Sequence, residues 1–214
     1  MVLDQKTLQK KRDKKDKKRK EVKKTGFFSL FGFARDWAMA ERCEIADVYV
    51  PDGIFEAGIG NVFFSRRMSD GRYALSIFLV DTTCLGVKNA LYKIMESHEY
   101  QEFLSNYLSS TEETYKHQHP TYARKLVESA LKYASSLGLD PHSDYKIAKH
   151  IFGDVDPQAC PVSFTFGRNG KPFYCCGPND SPTFQRRTIK QLEKHCGKDG
   201  YHLVVNMDVM DPLE

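Results

Sequence analysis

Ile59 to Arg66 reads IGNVFFSR and Arg72 to Val80 reads RYALSIFLV, with Met68-Ser69-Asp70-Gly71 between them. Both runs are rich in aromatic and branched apolar residues. Asp-Gly between two such runs predicts an antiparallel β-hairpin, because that dipeptide readily takes the positive φ angles a tight turn needs. Upstream, Glu44 to Val50 (EIADVYV) reads as a third strand, punctuated by Pro51-Asp52-Gly53.

Downstream, Leu85 to Glu96 and Glu99 to Leu108 predict two helices, and the polar stretch Ser109 to His119 a loop or subdomain boundary. Pro120 opens the clearest helix, with Ala123, Leu126, Val127, Ala130, Leu131, Ala134 and Leu137 on one face and Gly138 placed to end it. A shorter helix is expected from Ser143 as cap, burying Ile147, Ile151 and Phe152 and stopping at Gly153. Ser163 to Phe166 and Lys171 to Cys175 predict a second hairpin around Asn169-Gly170. Ser181-Pro182 then starts a last helix to about His195, and Tyr201 to Asn206 makes a final strand. No repeat of fixed period is present. The expected class is α+β, a mixed, largely antiparallel sheet from two hairpins with packed helices.

Charge is segregated along the chain. Residues 1–24 hold twelve Lys or Arg against four Asp or Glu, a net +8, while the remaining 20 basic and 24 acidic residues sum to −4. Between Lys10 and Lys24 there is almost no apolar position, so a helix there would have no face to bury. The organisation this predicts is a mobile or solvated-helical basic tail, 1–25, ahead of one α+β domain, 26–214, with 109–120 as the place where that domain would subdivide. Phe27, Leu30, Phe31, Ala34, Trp37 and Ala38 recur at helical spacing, as for a stripe docking on the body.

A dense cationic run beside a weakly anionic body engages polyanions, since binding releases condensed counterions. The candidate contacts are Lys10, Lys11, Arg12, Lys14, Lys15, Lys17, Lys18, Arg19, Lys20, Lys23 and Lys24, joined by Arg186, Arg187 and Lys190 in the last helix. Arg168 and Lys171 beside Phe173 and Tyr174, and Arg66 with Arg67, form weaker basic groups of the same kind. Nucleic acid is the expected partner, RNA or an RNA-rich assembly such as the ribosome ahead of DNA, because no helix-turn-helix, zinc finger or basic zipper is legible. An anionic membrane, through the tail and Phe27 to Phe33, is the lesser partner. A solubilising arm or a nuclear address is the bland alternative.

A non-enzymatic binding protein is the leading expectation. The enzyme alternative, a hydrolase or nuclease-like activity, centres on Asp81-Thr82-Thr83-Cys84, read as a strand-to-helix junction where helix amides would lower the pKa of a thiol; Asp52 completes the catalytic candidates. Helix capping by Asp81 or a threonine, with Cys84 simply packed, accounts for the same residues. The order Asp52-Gly53, hairpin, Thr82-Thr83 looks faintly similar to the opening of the ribonuclease H fold. Val87-Lys88-Asn89-Ala90 lacks the carboxylate which that fold's metal-dependent cleavage draws from its first helix, so no family is assigned.

Gly53, Gly58 and Gly60 read as turn glycines, since no P-loop Lys-Ser/Thr follows them. No cofactor or metal is expected, as His117-x-His119, Cys175-Cys176 and His195-Cys196 lack zinc-ligand spacing. The six cysteines read as reduced thiols. With no secretory signal, lipidation signal or spanning segment legible, the expected location is the cytoplasm, or the nucleus.

Overall fold

The computed structural model describes residues 32–109, 113–178 and 180–204. Contacts divide the chain into residues 1–39 and 40–214. In the first unit the described residues belong to helix α1 (residues 32–40), where Phe33 and Trp37, one turn apart, stack at 5.8 Å. The basic candidates from Lys10 to Lys24, and Phe27, Phe28, Leu30 and Phe31, lie outside the described residues.

The second unit is built on a five-stranded antiparallel sheet, and the fold is α+β. Strand β1 (Glu44–Pro51) leads through a single helical turn, α2 (Ile54–Ala57), into β2 (Ile59–Arg67) and β3 (Tyr73–Asp81). The hairpin forms as its sequence dictates. Pairing runs without slip from Ile59 opposite Asp81 to Arg67 opposite Tyr73, and the Asp70 carboxylate accepts bonds from the Arg72 amide and Nε at 3.1 and 2.8 Å.

The next element corrects the sequence reading. Residues expected as a helix from Leu85 to Glu96 form strand β4 (Gly86–Met95), antiparallel to β3. The pairing steps from Leu79 opposite Asn89 to Val80 opposite Val87, so Lys88 is an extra, bulged residue. A bulge breaks the two-residue alternation that marks a strand, leaving apolar positions spaced like a helix. The likeness to the ribonuclease H opening ends here too, since no helix follows Thr82-Thr83.

Helix α3 (Ser97–Ser109) crosses one face of the sheet, burying Tyr100 and Leu104 against Phe63, Leu75 and Met95. Tyr100 stacks on Tyr73 at 4.1 Å, and its hydroxyl bonds Ser65 Oγ and donates to Asp47 Oδ2, both at 2.6 Å. The stretch expected to be loop ends in strand β5 (Tyr115–His117), which pairs antiparallel with β1 and gives the sheet order β4-β3-β2-β1-β5. An edge strand this short carries no apolar period to read.

Helix α4 (Pro120–Ser136) packs toward the other face through Ala123, Leu126, Val127, Ala130 and Ala134, as the sequence predicts. Its approach is close enough that a Cβ on Gly86 would lie 2.7 Å from the Ala130 carbonyl oxygen. Phe152 stacks on Phe78 at 5.0 Å and meets Phe64 edge-on at 5.3 Å. Filling a core position with an aromatic ring of this kind contributes about 3–5 kcal/mol relative to alanine.

Phe152 ends a short segment, helix α5 (Tyr145–Ala148) followed by a 3-10 turn Lys149–Phe152, that Gly153 terminates. The helix starts later than a Ser143 cap predicts, with Asp144 in the cap position. That shifts the buried face to Tyr145 and Ala148 and leaves Ile147 41% exposed, while Ile151 and Phe152 are buried as expected.

The second predicted hairpin is half present. Asn169 (φ 53°) and Gly170 (φ 77°) make the turn, and Arg168 bridges Lys171. Ser163 to Phe166 form no strand; Phe164 and Phe166 pack on Phe55, Tyr122 and Tyr133 instead. Strand β6 (Phe173–Cys175) pairs in parallel with β7 (His202–Val204) across the intervening helix α6 (Pro182–Cys196). Ser181 caps α6, its Oγ accepting from the Phe184 amide at 3.2 Å. Among the described residues, no helix is long and apolar enough to cross a membrane.

Candidate functional site

Residues 82–85 make a tight turn between β3 and β4, and Asp81 organises it. Its Oδ1 accepts from the Thr83 amide (2.7 Å), the Thr83 hydroxyl (2.7 Å) and the Cys84 amide (2.9 Å). The turn is laced to a distant part of the chain. Gly167 N donates to the Thr82 carbonyl and Phe173 N to the Thr83 carbonyl, while Thr83 Oγ1 lies 2.9 Å from the Phe173 carbonyl oxygen and shares its proton between that atom and Asp81.

This geometry revises the expected strand-to-helix junction. A strand follows the turn, so no helix terminus is available to lower the Cys84 pKa. Cys84 is fully buried among Leu85, Ala134, Leu137, Tyr174 and Leu192, and burial, with the Asp81 charge adding to it, pushes its thiol up. Asp52 stands elsewhere, in the turn after β1, half exposed and paired with Lys116 at 2.5 Å. Asp81 is different from both: it is 7% exposed yet lines a cleft. Burial raises its pKa against the opposing effect of the Thr83, Cys84 and Leu85 hydrogen bonds.

That cleft has a volume of about 600 Å³. Ile59, Leu79 and Asp81 come from the end of the β2–β3 hairpin, Phe173 and Cys175 from β6, and Val204 from β7. Lys88 enters because the bulge re-aims it. Its Nζ lies 3.1 Å from both Asp180 oxygens, and Asp180 also accepts from the Gly177 amide (2.9 Å) and the Tyr174 hydroxyl (3.3 Å). A Cβ on Gly177 would stand 2.7 Å from the Lys88 Nζ, so a larger residue there would make the lysine shift. Arg168 on the rim rests over the Phe173 ring at 4.4 Å, a cation–π contact, and has no carboxylate partner among the described residues.

Lys88 and Asp180 neutralise each other. Among the described residues, the charges left facing the cleft are therefore one anion, Asp81, and one cation, Arg168. Among the described residues, no group of three or more His, Cys, Asp or Glu side chains is placed to hold a metal ion.

No family model matches this chain, nor does any curated protein or any solved structure.

A second set of candidates stands on α6, which begins one residue after Ser181 and two after Asp180. Thr188 and Leu192 turn inward, while Arg186, Arg187 and Lys190 are exposed. Arg187 is paired with Asp140 at 2.9 Å, both side chains largely in solvent, where such a pair contributes little. Arg186 and Lys190, one turn apart, have no carboxylate partner among the described residues.

Of the two candidate arginines on the hairpin, Arg67 is exposed but Arg66 is buried and unavailable to a polyanion. Sequence reasoning missed Lys88, Asp180 and Val204 as neighbours of Asp81. Only the Asn169-Gly170 turn hinted that Arg168 and Phe173 sit together.

Proposed function

We propose that this chain binds nucleic acid, RNA in preference to DNA, with the basic arm of residues 1–24 supplying phosphate contacts and the α+β body setting position. The observation that carries this reading is the charge segregation, +8 in the first 24 residues against −4 in the rest. Arg186 and Lys190 support it, because two cations one turn apart on an exposed helix face, without a carboxylate partner among the described residues, can follow a phosphate backbone. An RNA-rich assembly such as the ribosome is the natural setting, since charge rather than base reading is wanted there. The thiol-based enzyme alternative loses ground with Cys84 sealed in the core.

A salt titration tests the reading. Replacing the twelve Lys and Arg of residues 1–24 by Gln in the full chain is expected to flatten the dependence of log K on log salt by several units, at about 0.7 to 0.9 per lost phosphate contact. Equal slopes for the two proteins would refute it.

A further inference from the structure

An arm that contacts phosphates leaves the cleft between the β2–β3 hairpin end and the β6–β7 pair without a use. At about 600 Å³ it is far larger than one side chain and lies within the roughly 300–1,000 Å³ range of small-molecule sites. Its walls are mainly apolar, from Ile59, Leu79, Phe173 and Val204. Its two uncompensated charges call for a ligand with a hydrogen-bond-donating edge for Asp81 and an anion for Arg168. A free amino acid has both features but is too small for the space. A nucleotide has both and fills it.

We propose that this cleft receives one unpaired nucleotide, guanine before the other bases, with its Watson–Crick edge on Asp81 and its phosphate on Arg168. The proposal deepens the RNA reading and rests on it for the source of the nucleotide.

The base preference follows from what a carboxylate can accept. The Thr83 and Cys84 bonds to Asp81 all fall on Oδ1, and Leu85 adds a further backbone bond to the carboxylate, so Oδ2 is the less committed acceptor and the one a ligand would use. Guanine offers N1–H and the N2 amino group side by side, two donors converging on an acceptor-only group. Uracil offers one N–H between two carbonyl oxygens that the carboxylate repels. Adenine and cytosine present an amino group next to a ring acceptor, and rank between. Burying Asp81 has already stripped part of its hydration, so donors brought by a base restore what water supplied.

The phosphate end is equally constrained. The Arg168 guanidinium lies over the Phe173 ring with no carboxylate partner among the described residues, which suits bidentate capture of a phosphate. Lys88 adds no further anion affinity, being neutralised by Asp180. One phosphate group is therefore the expected complement. The cleft also adjoins the start of α6, where Asp180 precedes the cap, so a strand following Arg186 and Lys190 is led toward it.

The test is titration of the full chain with GMP and with UMP, followed by the shift of backbone amide resonances at residues 82–86 and 167–177. GMP is expected to bind at least about tenfold more tightly than UMP, a difference one good base contact supplies. Arg168→Ala should weaken GMP about tenfold and leave guanosine unaffected. Asp81→Asn should bring the GMP to UMP ratio toward one. Because Asp81 also holds the turn, Cys175→Trp provides a second handle, filling the cleft from the one exposed position of β6 and abolishing GMP binding.

Equal affinities for GMP and UMP overturn the proposal, as does GMP affinity untouched by both Arg168→Ala and Cys175→Trp. The two readings fail separately. Loss of RNA affinity in the arm-neutralised chain with no GMP binding in either chain sinks the cleft alone; GMP binding without any RNA binding by the native chain sinks the RNA reading and leaves a mononucleotide site.

Discussion

The β2–β3 hairpin buries a charge at each end, and the two are treated in opposite ways. Near its turn, Arg66 is 2% exposed and caged by main chain: Nε donates to the Ile151 carbonyl (2.6 Å), one terminal nitrogen to Cys43 (2.5 Å) and the other to Phe152 (2.8 Å). Asp154, exposed at the edge of this cage, lies 3.9 Å away. Burial lowers the Arg66 pKa while Asp154, Cys43 and Glu41 raise it, yet a guanidinium stays charged throughout the working range. At the other end Asp81 has Oδ1 bonded to the turn and the carboxylate set on a cleft wall. A buried charge enclosed by carbonyls is a clamp, here pinning residues 151–153 to the sheet. A buried charge left at a cavity is available to a ligand.

Breaking the clamp gives the largest expected effect. Arg66→Met strands the buried Ile151 and Phe152 carbonyls and the half-buried Cys43 carbonyl and should cost about 3–5 kcal/mol, at about 1–3 kcal/mol per unsatisfied buried acceptor. Urea unfolding reads it as a lower midpoint with unchanged slope. A loss under about 1 kcal/mol would show that Phe152 packing and the Arg124 bonds to the Gly153 and Val155 carbonyls hold residues 151–153 without the clamp.

The next test probes the same clamp from its backbone. Gly153 has φ 51°, and an added Cβ would run into the Glu41 carbonyl and crowd the Arg66 guanidinium. Gly153→Ala is expected to destabilise by about 2–3 kcal/mol, combining left-handed strain with the displaced carbonyl.

The Asp81 end responds to pH rather than to packing. Its folded pKa is raised, mainly by burial, above the usual 3.8. Below that value both folded and unfolded chains are protonated, and no charge is buried. As pH rises through the window above it the unfolded chain ionises first, so this group's contribution lowers stability with increasing pH until the folded carboxyl has ionised too. Asp81→Asn should remove that part of the slope, seen as a smaller fall in urea midpoint between about pH 4 and pH 7 than in the native chain. An identical profile in both proteins would mean that the turn's hydrogen bonds fully offset burial.

How much of this was legible in the sequence depends on how local each feature is. The hairpin from Ile59 to Val80 and helices α3, α4 and α6 announce themselves through turn dipeptides, caps and period, all read within a few residues. Strand β4 did not, because the Lys88 bulge shifts the phase of its alternation midway. That same bulge builds the site: it turns Lys88 toward Asp180, a partner 92 residues away. In the sequence Asp81 reads as the start of a helix that the fold does not contain, yet it does line the cleft. Its real surroundings, Arg168, Asp180 and Val204, are brought together by a parallel pairing between β6 and β7 that leaves no mark in composition or spacing.

The smallest expected effect concerns the exposed face of α6. Arg186→Ala and Lys190→Ala should each reduce the salt slope of RNA binding by about one unit, without changing stability measurably. Arg187→Ala, whose charge is shared with Asp140, should change it less.

The parallel strand β7 also sets an order of assembly. Within residues 44–95 each strand pairs with the next along the chain, so the β1–β4 meander can close while synthesis is still under way. Ile59 and Val204 meet only after α6 has formed and folded back, which makes the pocket the last part of the body to exist. A nascent chain thus has its scaffold well before it can hold a nucleotide, and a fusion placed after residue 204 would sit on the rim of that pocket.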